Sequence, residues 1–253
     1  MLGAAAALSL GGALWTARRI GLDLRRAAPC YLLAAAAVLA GSRTLYWLSQ
    51  PIASGDRGTE IGPSAPRAAG FALYGGLMAA ALVGGMASLA LRVDAWSLAD
   101  AAAVPTGVGI ALVRVGCYAN GCCYGRPCDV PWAVYPPPGS PAYFSQLADN
   151  PARLLTGLAP VHPTPLYELA AAVLAAATAA VLMRRGAPRG VPALAAAFAF
   201  TALRWAILPF RDAPRAGEMD GLLYPALYAA LLVLLAIGLW RRFSTPSAWR
   251  GAL

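Results

Sequence analysis

Arg114 is the residue whose type and surroundings first suggest chemistry. It lies near the end of an apolar stretch, VGIALVRVGCY, and precedes a glycine- and cysteine-rich loop that carries Asn120 and Arg126. A guanidinium group at membrane depth costs about 2.5–3.5 kcal/mol on insertion scales. Because spanning a bilayer does not require that cost, Arg114 is a candidate site residue. The alternative is that Arg114 only pairs with a neighbouring carboxylate or a helix end.

Further polar side chains fall near the same end of other apolar runs. They are Arg43, Asn120, His162, Tyr167, Glu168, Arg204 and Arg211. Arginines with few carboxylate partners favour an external anion, and a lipid phosphate is the anion available at that depth, bound by the two-pronged guanidinium donor. The alternative is that each arginine reaches separately for a lipid headgroup. That alternative suits Arg211 better than Arg114, which is bracketed by small and apolar residues.

The segment HPTPLYE, His162–Glu168, opens a predicted helix. Pro165 suits a first helical position and Thr164 is a plausible cap. Glu168 lies one residue beyond capping-box spacing, so we interpret it as a carboxylate that orients an arginine or the histidine. A gain from the helix dipole is the structural alternative. His162, the sole histidine, is a candidate proton acceptor, although single histidines are more often structural.

Cysteines crowd the central loop and leave several interpretations open. Four of the five belong to it: Cys117, Cys122, Cys123 and Cys128. Disulfides suit an extracytoplasmic loop. A zinc site with His162 is opposed by the adjacency of Cys122 and Cys123, and a redox pair by the lack of C-x-x-C. We expect one or two loop-stapling disulfides, no metal ligand and no cofactor.

Composition shows which elements must position these residues. The chain of 253 residues is 59% hydrophobic and 12% charged, about half the charged fraction of soluble domains. Its mean hydropathy is +0.60. All 20 basic residues are arginine, and the net charge is +9. We find no nucleic-acid motif, so we interpret the charge as an orientation signal of a membrane protein with one domain, residues 1–253.

The fold class predicted is an all-α polytopic membrane protein, a bundle of about seven transmembrane helices. The predicted helices are about Met1–Trp15, Pro29–Trp47, Phe71–Leu91, Leu98–Tyr118, Thr164–Met183, Val191–Leu208 and Leu222–Trp240. The bias of arginines between alternate loops predicts the N-terminus outside and the C-terminus inside. A long extracytoplasmic loop then covers about residues 119–163.

Five motifs in order resemble one known family. They are GSRTLY, YGGL, the stretch from Arg114 to Gly125, HPTPLYE and ALRWAILPFRD. Across nearly the whole chain they are similar to prolipoprotein diacylglyceryl transferases. The resemblance implies a multi-pass protein of the bacterial plasma (inner) membrane whose seven helices enclose a phosphatidylglycerol site. It implies transfer of the diacylglyceryl group to the lipobox cysteine thiol of a preprolipoprotein, with release of glycerol phosphate.

The resemblance also implies roles for individual residues. Arg114 matches the arginine that contacts the phosphatidylglycerol headgroup. Arg204 and Arg211 match the essential arginine of the sixth helix and the one that follows it, and Gly75 and Gly76 match the glycines of an HGG motif. The expected catalytic residues are Arg114, Arg204, His162 and Glu168. The expected substrate-binding residues are Arg114, Asn120, Gly75, Gly76, Arg43, Tyr167 and Arg211.

Three positions depart from the family pattern. Tyr74 replaces the histidine before the two glycines, Cys117 an asparagine and Cys122 an acidic residue. These changes remove a candidate base and two polar contacts, for which His162 or Tyr74 is a possible substitute. They motivate a second hypothesis, a non-catalytic phospholipid-binding or assembly protein. A third is a membrane thiol oxidoreductase that uses the loop cysteines.

Overall fold

The computed structural model describes residues 2–48, 73–212 and 219–244, and the side chains of all of these except 46–48 and 219–223. The helices in these ranges are α1 (Leu2–Arg19), α2 (Leu24–Leu48), α3 (Leu73–Ala90), α4 (Ala95–Ala119), α5 (Pro141–Asp149), α6 (Arg153–Thr156), α7 (Thr164–Arg184), α8 (Val191–Ile207) and α9 (Met219–Ser244). A 3-10 turn, Leu208–Phe210, follows α8. The described residues contain isolated β-bridges but no β-strand. The all-α prediction is confirmed.

Six helices in the described ranges are long and apolar enough to cross a membrane, namely α2, α3, α4, α7, α8 and α9. The remaining long helix, α1, has 18 residues and ends in Arg18 and Arg19. At 1.5 Å per residue it measures about 27 Å, slightly less than a hydrocarbon core of about 30 Å. The structure therefore supports six of the seven predicted spans.

The central helix of the bundle is α4, which packs against α1 on one side and α7 on the other. Glycines permit both contacts. A Cβ at Gly107 would lie 2.8 Å from the Cβ of Ala176, and one at Gly109 would collide with Ser9. Small residues let membrane helices approach closely. Helix α7 packs against α8 through an alanine-rich contact that also includes the Phe200 side chain.

Helix α2 packs closely against α3, and glycines again allow the approach. A Cβ at Gly75 would meet the carbonyl oxygen of Gly41 and lie 2.5 Å from Leu45 Cβ, while one at Gly76 would lie 2.6 Å from Ser42 Oγ. The two glycines of the YGGL motif therefore face a neighbouring helix.

Several helix ends differ from the predicted ones. Helix α2 begins at Leu24 with Pro29 inside it, and α4 begins at Ala95 because Asp94 accepts a hydrogen bond from the Ser97 amide at 2.8 Å. The predicted cap at Thr164 is wrong, since the N-cap of α7 is Pro163 and makes no side-chain cap. The predicted starts at Met1 and Phe71 lie outside the described residues.

The segment between α4 and α7 is an ordered cap of short helices and bridges. It contains α5 and α6, and isolated bridges join Pro127 and Val134 to Val161. Another bridge joins Gly125 to Arg211, just beyond α8. This cap therefore holds the end of α8 against the loop that follows α4.

Candidate functional site

Glu168 lies at the centre of an arginine cluster. Its side chain is buried, with 1% of the residue exposed. Arg114 Nε lies 2.6 Å and Arg204 Nη1 2.8 Å from Oε2, and Arg211 Nη1 contacts Oε1. The structure thus brings together three of the four arginines that the sequence analysis placed at one depth.

Four separate segments supply this cluster at one end of the bundle. Arg114 comes from the end of α4, Glu168 from the second turn of α7 and Arg204 from the last turn of α8. Arg211 follows the 3-10 turn, which redirects the chain back toward α7. A cation in the last turn of a helix interacts favourably with the helix dipole, which supports Arg204. Since α7 has no acidic residue in its first turn, the dipole does not account for Glu168.

The cluster carries an excess of positive charge. Three guanidinium groups and one carboxylate leave a net charge of +2, and Arg114 and Arg204 are only 7% and 8% exposed. Within the described residues, Glu168 is the acidic side chain that pairs with these arginines. Removing charged groups from water costs several kcal/mol per ion unless partners compensate. The cluster is therefore suited to an additional anion.

Aromatic side chains surround Arg204. Its Nε donates to the hydroxyl of Tyr228 at 3.3 Å, and its guanidinium carbon lies 5.7 Å from the centre of the Tyr74 ring. The Tyr74 hydroxyl donates to Thr201 Oγ1 at 3.2 Å. The sequence analysis missed Tyr228 because a tyrosine in an apolar helix gives no local signal. Tyr74 helps to bury Arg204 and already has a hydrogen-bond partner.

His162 belongs to a neighbouring aromatic group. Its Nδ1 lies 3.2 Å from the Tyr167 hydroxyl oxygen, which accepts a hydrogen bond from Trp132 Nε1 at 2.7 Å. The imidazole packs edge-on against Phe210 at 5.1 Å between ring centres. A cavity of about 200 Å³ is lined by His162 and by Cys122. His162 therefore has access to a space beside the cysteine loop.

The loop after α4 fixes the position of Arg211. Gly125 N–H donates to His162 O at 2.9 Å, and Arg126 N–H donates to Phe210 O at 2.9 Å. Arg126 Nε donates to Arg211 O at 3.1 Å. Arg211 was expected among the substrate-binding arginines, with a separate contact to a lipid headgroup as the alternative. Its contact with Glu168 makes it part of the cluster.

The remaining predicted site residues are Asn120, Arg43, Gly75 and Gly76. Asn120 is the exposed C-cap of α4, and its N–H donates to Gly116 O. Arg43 is partly buried in α2. Gly75 and Gly76 contact α2, so the structure gives them a packing role.

The predicted disulfides are absent, because all five cysteines have free thiols. The sulfur atoms of Cys117, Cys122 and Cys123 nevertheless lie within 4.8 Å of one another. Arg114 Nη1 lies 3.9 Å from Cys117 Sγ. Hydrogen bonds from the other two thiols lower the pKa of Cys123, burial opposes this, and the charges of Arg114 and Arg211 lower it further. The trio is therefore a thiol cluster directly beside the arginines.

The fold and the site together define a polytopic helical membrane protein with an anion-attracting cluster at one end of its bundle. The profile of one family, described as prolipoprotein diacylglyceryl transferase, matches residues 1–242. The chain belongs to that family.

Curated relatives give a more local similarity. The chain is 35% identical over 99 residues to a phosphatidylglycerol–prolipoprotein diacylglyceryl transferase of Mesorhizobium japonicum. Proteins of the same name from Brucella anthropi and Brucella ovis are 32% and 31% identical over 99 residues. Each match covers 39% of this chain and 29% of the relative. The chain thus matches less than a third of the length of these relatives.

Proposed function

We propose that this protein transfers the diacylglyceryl group of phosphatidylglycerol to the lipobox cysteine thiol of preprolipoproteins. The observation that carries the proposal is the group of three arginines that contact the buried carboxylate of Glu168. A phosphodiester supplies the anion that this cluster lacks. Family membership and the names of the relatives agree with that substrate class.

Most of the negative charge that develops in the reaction lies on the phosphate of the leaving group. The acceptor sulfur attacks the glyceryl carbon that carries the phosphate oxygen, a C–S bond forms and the C–O bond breaks. The bonding electrons remain on the oxygen, and glycerol phosphate leaves with an additional negative charge. Preorganised guanidinium groups stabilise such charge in a site that excludes water. Arg114, Arg204 and Arg211 would serve this role, and Glu168 would hold them in place.

His162 is the proposed acceptor of the thiol proton. It lines the cavity beside Cys122, and its hydrogen bond with Tyr167 fixes the ring orientation. Tyr74 is less suited to the role because its hydroxyl donates to Thr201. We assign Tyr167, Asn120 and Arg43 to the headgroup side of the site. Gly75 and Gly76 would act indirectly, through the contact of α3 with α2.

We also propose the seven-helix topology of one domain, with α1 as the seventh span. The support is the arginine bias, which places the N-terminus outside and the C-terminus inside. In a bacterial plasma membrane this topology puts the Glu168 end of the bundle at the outer leaflet, where secreted preprolipoproteins emerge.

A non-catalytic phospholipid-binding protein is the second candidate. It is favoured by the hydroxyl of Tyr74, which is already engaged with Thr201 at the position of the family's histidine. Such a protein would use the same arginines without forming a thioether.

The deciding experiment incubates purified protein with phosphatidylglycerol and a lipobox peptide. We expect a thioether-linked diacylglyceryl peptide by mass spectrometry, with release of glycerol phosphate. Arg114→Ala should lower the rate about 10²–10³-fold, as removal of an oxyanion donor does. Arg25→Ala, at an exposed arginine of α2, is the matched control and should retain the rate. Lipid binding without product would favour the second candidate, and neither binding nor product would contradict both.

A further inference from the structure

Three thiols lie close together beside the arginine cluster. The spacing of the three cysteines in the sequence does not predict this proximity. Cys117 lies in the last turn of α4, and Cys122 and Cys123 lie in the loop that follows. Their sulfur atoms lie within 4.8 Å of one another. Adjacent side chains usually point in different directions, so a backbone feature must turn both toward Cys117.

The loop has an unusual backbone that brings this about. Cys123 has φ +59° and Gly121 has φ +61°, and a non-glycine residue with positive φ persists only where its surroundings enforce it. The Cys122 amide donates to Cys117 O at 3.1 Å. Thr164 Oγ1 donates to Cys123 O at 2.6 Å. The conformation is therefore held from both α4 and α7.

We propose that Cys117, Cys122 and Cys123 bind a zinc-class metal ion, whose fourth position receives the acceptor thiol. Thiolates select such soft and borderline ions. Zn–S bonds of about 2.3 Å place sulfur ligands about 3.8 Å apart in a tetrahedral site. The observed separations need to contract by at most about 1 Å. Three protein ligands with an open fourth position are the arrangement of reactive zinc sites.

The proposed metal site complements the arginine cluster in charge and lies next to it. Three thiolates and a divalent ion carry a net charge of −1, which complements the +2 of the Glu168 cluster. Arg114 contacts both groups, since its Nη1 lies 3.9 Å from Cys117 Sγ and its Nε 2.6 Å from Glu168 Oε2. A thiol at the fourth position would therefore lie next to a phosphate held by Arg114.

The role of the ion in transfer rests on the proposed function. A thiol loses its proton when it coordinates the metal. Cys117, Cys122 and Cys123 would hold the ion, which would acidify an acceptor thiol at its open position. His162, across the cavity, would take the thiol proton, and the sulfur would attack the glyceryl carbon as glycerol phosphate leaves. The ion would thereby activate the acceptor without any change of oxidation state.

The test begins with purified wild-type protein and does not depend on transfer activity. We expect equimolar Zn²⁺ by elemental analysis. Titration with Cd²⁺ should give the ultraviolet charge-transfer absorption of thiolate ligands, and Zn²⁺ should protect three thiols from a thiol reagent. Cys122→Ser and Cys123→Ser should lose the absorption, while Cys128→Ser, in the same loop, retains it. A disulfide within the trio, or wild-type protein without Cd²⁺ absorption, would overturn the site.

A second arm tests the role in transfer. We expect chelation to lower the transfer rate at least tenfold and Zn²⁺ to restore it. Transfer that continues unchanged after complete removal of bound metal would overturn the activation role but leave the proposed function standing. Metal binding without any transfer would support the site and contradict the proposed function.

Discussion

Glu168 sets the geometry of the site at the scale of single residues. One buried carboxylate contacts three guanidinium groups through both of its oxygens. Without it, three like charges would face one another at close range in a region that excludes water. Glu168 therefore makes the convergence of the arginines possible, and their remaining charge is available to a ligand.

Glu168→Gln should destabilise the protein strongly. The substitution preserves the size of the side chain but removes the negative charge, and breaking a buried ion pair typically costs about 3–5 kcal/mol. The free energy of unfolding, followed by chemical denaturation in detergent micelles, measures the effect.

The matched control for this substitution is Asp129→Asn. Asp129 is an exposed carboxylate of the segment between α4 and α7, so its neutralisation should change stability by less than about 0.5 kcal/mol. Equal stability of Glu168→Gln and the wild-type protein would show that Glu168 does not neutralise the arginines.

Sequence reasoning located most of the charged residues of the cluster because a charge in an apolar helix is conspicuous. Arg114, Arg204 and Glu168 have that signal. The arginines that Glu168 would contact were harder to predict, since the contact of Arg211 depends on the 3-10 turn at Leu208–Phe210. Nothing in the sequence marked Tyr228 as a site residue, since its hydroxyl contributes only through its contact with Arg204 on another helix.

At the scale of elements, the site depends on how closely the helices approach. Helix α4 carries Arg114 and must lie close to α7 for its guanidinium group to contact Glu168. Gly107 permits that approach because its missing side chain leaves room for Ala176. The small residues thus determine distances at a site they do not touch.

The contact between α2 and α3 allows a direct test of this principle. In Gly75→Ala the new methyl group would collide with the Gly41 carbonyl and with Leu45, so we expect a loss of about 1–3 kcal/mol of stability from overpacking. Gly85→Ala, on the same helix, is the control because no atom lies within 4 Å of its added Cβ. Thermal unfolding of both variants in detergent provides the comparison, and a stable Gly75→Ala protein would contradict the close contact.

Apolar run length predicted the helices better than it predicted their ends. The runs account for α2, α3, α4, α7, α8 and α9, since a span needs about 20 apolar residues. The ends depend on individual contacts that a run does not reveal. Thr164 illustrates this, because its hydroxyl donates to Cys123 O and leaves the N-cap to Pro163.

At the scale of the whole molecule, the arginine distribution predicts the direction in which the chain crosses the membrane. The net charge of +9 comes from arginines that cluster after alternate spans. The proposed orientation places Arg241 and Arg242, at the end of α9, inside.

A fusion after Ser244, at the end of α9, retains both of these arginines and tests the orientation. Alkaline phosphatase is active only outside the cytoplasm, so a fusion at the C-terminus should be inactive, whereas a fluorescent-protein fusion should be bright. A phosphatase fusion within the loop at 119–163 should be active. The reverse pattern would invert the bundle and place the Glu168 cluster at the inner leaflet.

The central claim is that the arginines held by Glu168 bind a phospholipid headgroup, and lipid retention measures it directly. Native mass spectrometry of the purified protein should show bound phosphatidylglycerol that excess diacylglycerol, which lacks the phosphate, does not displace. Arg114→Ala should weaken retention about 10- to 100-fold, because a charge-assisted hydrogen bond contributes about 1.5–3 kcal/mol, while Arg25→Ala should retain the lipid as the wild type does. Equal retention by Arg114→Ala and the wild type, or displacement by diacylglycerol, would contradict the claim.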